Sequence, residues 1–104
     1  MEELKEIAEK EINRIEEISK NLGLIDRKGE KLKELFDSYH KDAKHFFQNK
    51  KYVEAFEAAI ICWAYVDAGL HLGIFRVNKK IRDWFTVWKF FILEVKLYIE
   101  CKLT

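Results

Sequence analysis

Four polar side chains in the middle of this 104-residue chain have types that could do chemistry: Tyr39, Asp42, Asp67 and His71. Asp67 stands inside a long apolar stretch, on the margin of a helical face near Ile60 and Trp63. An ionised carboxylate in such surroundings needs a partner, or its protonated form is favoured. The Tyr39 hydroxyl, a lysine of the preceding helix, Arg76 or free backbone amides at a helix start would serve. A structural bond is the ordinary role of such a group, and a small-ligand or acid–base site is the alternative. His71 follows Asp67 by one helical turn, a spacing that suits two metal ligands, but two ligands do not make a metal centre. No metal or cofactor is assigned. His40 and His45 lie on one helix and point about 140° apart, so they cannot hold one ion together. Both read as exposed surface histidines.

Other catalytic patterns are missing from the sequence. It has no glycine-rich phosphate loop, no nucleophile elbow, and no activating partner beside Ser19 or Ser38. No histidine follows Arg14, Arg27, Arg76 or Arg82 at the four-to-six-residue spacing used by one class of helical ribonucleases. The chain therefore reads as a non-enzyme. Two basic clusters remain, Lys50 with Lys51, and Arg76, Lys79, Lys80 and Arg82 beside Trp84 and Phe85. Cations with aromatic neighbours can hold single-stranded nucleic acid by charge and stacking. The plainer reading is a solvated helix entry whose aromatics face the core. A net charge of +1 does not by itself favour phosphate binding.

The elements that must position these groups are helical. The sequence holds no proline and four glycines, so strong breakers are few. Leu4, Ile7, Ala8, Ile12, Ile15, Ile18 and Leu22 recur at helical steps and predict a first helix over 2–21, with Gly23 ending it in a left-handed cap. Asp26 is placed to cap a second helix over 27–48, with Leu32, Leu35, Phe36, Tyr39, Ala43, Phe46 and Phe47 as its stripe. A polar turn over 48–51 then predicts an antiparallel third helix over 52–72, stopped by Gly73. Tyr52, Phe56, Ala59, Trp63, Val66 and Leu70 share one face of that helix, and Ala55, Ile60 and Ala64 widen it. A helix so apolar belongs at the centre of a bundle. Ile81, Trp84, Phe85, Trp88, Phe91, Ile92, Val95 and Ile99 fit a fourth helix over 78–102, although aromatic and branched residues also favour strands. The four segments alternate in net sign, acidic, basic, acidic and basic, which suits neighbour-on-neighbour packing.

One all-α bundle domain over 1–104 follows, with three long helices and a fourth. Its aromatic C-terminal segment holds more apolar surface than one helix hides against three, and such a surface marks a partner or a self-association face. Trp84, Trp88 and Phe91 are its candidate interface, a homodimer or a protein partner its expected use, and a membrane-surface contact the weaker alternative. Cys62 and Cys101 lie in apolar runs without metal or redox spacing and read as buried free thiols. The longest strongly apolar run near the end, 84–93, is interrupted by Lys89 and too short to span a bilayer. A soluble, cytoplasmic protein is expected. The Lys and Glu bias, with Gln48 the only glutamine, is that of proteins from hot environments.

Tyr39, the Asp42–Ala43 pair, Phe46, Tyr52–Val53, Ala55–Phe56 and the run VDAGLHLGIF over 66–75 resemble the archaeal family catalogued as domain of unknown function 357. The resemblance spans 32–75, and Asp42, Asp67 and Gly73 are the positions that look characteristic of it. It implies a small archaeal helical bundle and no activity; the aromatic tail beyond Val87 departs from it. The same hairpin loosely resembles one tetratricopeptide-type helical pair, but no second copy follows, so a repeat solenoid is excluded.

Overall fold

The computed structural model describes residues 2–85. Among these residues the order is α1 (Glu2–Asn21), β1 (Leu22–Leu24), a 3-10 turn (Arg27–Gly29), α2 (Glu30–Gln48), α3 (Tyr52–His71), β2 (Phe75–Val77) and a second 3-10 segment (Lys79–Trp84). The expected helical bundle is what the chain forms. Most of the helix expected over 78–102, with Trp88, Phe91 and Cys101, lies outside the described residues. Its first residues are 3-10 rather than α: the Asn78 side chain accepts a hydrogen bond from Lys80 N, and the segment ends at Phe85 in extended backbone. That geometry sends both Ile81 and Phe85 into the core. No helix among the described residues is long and apolar enough to cross a membrane.

Helix α3 is the central element, packed along both α2 and α1, which touch each other less. Its buried face is made of small side chains: Ala55, Ala58, Ala59, Cys62, Val66 and Gly69. The expected face, centred on Phe56, Trp63 and Leu70, is thus rotated toward Ala55 and Cys62. The cause is steric, since small residues let α2 approach closely and leave the large ones to flank the contact. Trp63 and Leu70 pack at the edge of the core instead of forming its centre. Phe36 and Ala43 of α2 and Ile15 and Ile18 of α1 complete it.

Two glycines behave differently from one another. Gly73 stops α3 with a φ of 71°, as its position predicts. Gly23 is not a left-handed cap. It is the middle residue of β1, which pairs antiparallel with β2 in the register Leu22 with Val77, Gly23 with Arg76 and Leu24 with Phe75. Asp26 does cap, but it caps the 3-10 turn, accepting from Lys28 N at 2.9 Å, and α2 proper begins only at Glu30.

The strand pair is anchored by Phe75, whose ring lies over Gly69 of α3 and against Gly29. A Cβ at Gly69 would overlap that ring. Gly69→Ala should therefore destabilise the fold even though alanine is the better helix former. Overpacking costs about 1–3 kcal/mol, and the gain in helix propensity returns about 1 kcal/mol. The expected fall in Tm is about 4–8 °C for each kcal/mol that remains, readable by thermal circular dichroism. Combining it with Phe75→Leu should cost less than the two changes summed, because they share one clash.

Candidate functional site

The strand register decides where the basic residues go. Side chains alternate across a strand, so burying Phe75 and Val77 turns Arg76 outward. There it meets Gly23, where a Cβ would stand 2.7 Å from Arg76 Nε and 3.0 Å from its Cγ. The missing side chain gives the arginine stem a bed on β1. Lys79 and Arg82 follow on the second 3-10 segment, and Lys20 arrives from the last turn of α1. These four cations line a cleft of about 480 Å³, together with Asn21, Asn78 and the strand backbone. Lys80, expected in the same cluster, does not line it. Its ammonium reaches Glu17 Oε1 at 3.4 Å. Lys20 is the residue that sequence reasoning missed, because nothing in its own neighbourhood shows that α1 ends beside β2.

The aromatics next to the cluster turn elsewhere. Phe85 is in the core, and Trp84 leans on Trp63 with ring centroids 6.2 Å apart. The Trp63 indole nitrogen donates to Glu11 Oε2 at 2.9 Å, and Glu11 Oε1 holds Arg14 at 3.0 Å. Trp84 keeps 39% of its surface exposed in a groove lined by Glu6, Glu9, Lys10 and Arg14 of α1. One turn back along the two helices from Glu11 and Trp63 stand Ile7 and Ile60, 43% and 42% exposed.

The first polar group predicted from sequence lies on α2 and α3. Asp67 Oδ1 lies 4.0 Å from His71 Nε2 on the same helix, the outer limit of an ion pair. Tyr39 stacks on Tyr65 at 5.8 Å, and Asp42 is exposed on α2. Among the described residues no cluster of three or more His, Cys, Asp or Glu side chains could hold a metal ion. Cys62 is buried, with Sγ 3.5 Å from the Phe36 carbonyl, and burial pushes its thiol up to about 12.

His40 corrects the expectation of two surface histidines. His45 is exposed, but His40 is 8% exposed and faces α1, with Nε2 2.7 Å from Glu16 Oε2. Lys44 Nζ lies 2.8 Å from the same oxygen. Lys44 and Glu16 form an ion pair, to which His40 adds charge only when it is protonated. The Lys44 ammonium keeps the Glu16 carboxyl below its ordinary range against the opposing effect of burial, and His40 assists. Burial lowers the His40 value, with repulsion from Lys44 adding to it and Glu16 opposing.

Both shifts make acid destabilising. His40 binds a proton less readily folded than unfolded, so its contribution is full above about 6.5 and declines as pH falls below that. The contribution of Glu16 is present above its unfolded value of 4.5 and is lost as pH falls through the lowered folded value. Tm should therefore drop between about pH 7 and pH 5 before ordinary carboxylate titration begins. His40→Gln should flatten that part of the profile, and a variant as pH-sensitive as the parent would remove His40 from the account.

Together these features define a small helical bundle whose C-terminal half is fastened to α1 by a strand pair, with a cationic cleft at the fastening. The chain belongs to the family described as protein of unknown function DUF357, whose model matches residues 5–75. It is similar to protein AF1782 from Archaeoglobus fulgidus, a member of the same family with a crystal structure. The two are 30% identical, with a TM-score of 0.65, over 74% of this chain and 96% of that one. No curated protein matches the chain significantly. The family match reaches back into α1, beyond the 32–75 that sequence resemblance suggested, and ends at Phe75. Arg76, Lys79 and Arg82 lie past it.

Proposed function

We propose that the protein is a non-enzymatic module that works by self-association, as a homodimer formed through the α1–α3 face. The observation that carries this reading is Trp84. A large aromatic ring, held in place by Trp63, keeps 39% of its surface open, and Ile7 of α1 and Ile60 of α3 are exposed as well. Fixed aromatics rimmed by polar groups are the usual anchors of protein interfaces. The occupant best suited to the groove is a second copy. Its rim carries both signs, Glu6 and Glu9 with Lys10 and Arg14, so a two-fold operation that runs α1 antiparallel to its copy sets acid against base. A buried free thiol at Cys62 suits work in the reducing cytoplasm.

Sedimentation equilibrium of the full chain tests the reading. The parent should have twice the mass of one chain across the micromolar range. Ile7→Lys combined with Ile60→Lys should give a monomer with an unchanged helical spectrum, and Trp84→Ala should weaken the dimer at least tenfold. A parent that is monomeric throughout, or a dimer indifferent to all three changes, would overturn it.

A further inference from the structure

We propose that the cleft between the end of α1, the β1–β2 pair and the second 3-10 segment is a binding site for phosphate groups. Four cations from three elements converge on it, Lys20, Arg76, Lys79 and Arg82, and no carboxylate is among the described residues that line it. Lys20, Arg76 and Lys79 have no acid within ion-pair distance among the described residues, whereas Arg14, Lys33, Lys44 and Lys80 each have one. Three exposed cations gathered with no acid beside them among the described residues set up a local positive field that attracts an anion. The end of α1 supplies only about half a negative charge from its helix dipole. That is well short of the charge on Lys20, Arg76 and Lys79.

The cleft is also shaped for the task. Gly23 lets the Arg76 stem lie across β1, which fixes the approach of a guanidinium whose planar fork matches phosphate oxygens. Asn78 lines the same space; its Oδ1 is taken by Lys80 N, so its remaining polar atom, Nδ2, is a donor. Cations and the Asn78 amide donor, with no carboxylate among the described lining residues, favour an anion over a cation. Trp84 and Phe85 are committed to Trp63 and the core, so the site reads charge rather than stacked bases. Phosphate of either origin, a nucleic-acid backbone or a free polyphosphate, has the required chemistry.

The test uses the full chain. Fluorescein-labelled single-stranded RNA of mixed sequence is titrated by anisotropy at several salt concentrations, and inorganic pyrophosphate is titrated by calorimetry and as a competitor. Saturable binding of at least one probe is expected, with tenfold or greater loss in Lys20→Gln combined with Arg76→Gln. Both positions are exposed, so the variant should keep the parent melting curve. For RNA the slope of log K against log salt should fall by about 0.7 for each cation removed. Gly23→Ala should weaken binding by displacing Arg76, whereas Lys31→Gln, on the exposed side of α2, should not. RNA binding that pyrophosphate does not displace supports a polymer backbone as the source, and pyrophosphate binding without RNA binding supports a free anion. No saturable binding of either probe at low salt, or binding that the double variant retains, would overturn the proposal.

Discussion

The seat of one ring, Phe75, governs the C-terminal half of the described chain. Phe75 is 2% exposed and rests over Gly69, a helical position where no side chain competes for the space. Burying an aromatic ring of this size removes on the order of 150–250 Å² of apolar surface from water, enough to hold a three-residue strand that backbone pairing alone would not. Once the ring is seated, Ile74 N bonds to Gly69 O at 3.0 Å and Ile25 N bonds to Ile74 O at 2.8 Å. The chain leaving α3 is thereby drawn against the chain leaving α1. The alternation of the strand then exposes Arg76, and the cationic cleft is a geometric consequence of an apolar contact on the opposite side.

Much of this was legible in the sequence, and the failures have physical causes. Helical periodicity located α1, α2 and α3 to within a few residues, because each carries a long apolar stripe and a polar break. The strands were invisible, since LGL and FRV are too short for a period of two to declare itself. Gly23 was read as a cap because glycine after a helix usually is one, and only its partner across the sheet shows otherwise. On α3 the largest residues drew the predicted face toward themselves, whereas close packing favoured the alanines. His40 looked like a surface residue by type; its burial depends on Glu16, a residue of another helix.

The candidate sites divide in the same way. The cluster over 76–82 was visible as adjacent letters, but its division was not: Lys80 turns to Glu17, and Lys20 takes a place in the cleft. Asp67 and His71 were paired correctly by helical spacing and remain at 4.0 Å. Tyr39 stacks on Tyr65, a ring contact that spacing along a single helix could not reveal. Contacts within one helix were readable, and contacts between elements were not.

The strand pair also has a meaning for how the chain assembles. It joins residues 22–24 to residues 75–77, so it closes a loop that contains all of α2 and α3. Contacts of such long separation are slow to form and follow the local hairpin. A slip of one residue would place the Arg76 guanidinium inside and the Phe75 ring outside, an error that reverses every side chain at once. Register here is therefore checked by burial rather than by a turn. The cleft comes into being only when that closure is complete, which makes it a mark of the finished fold: whatever spans Lys20 and Arg76 meets a chain whose two ends of the loop have already found each other.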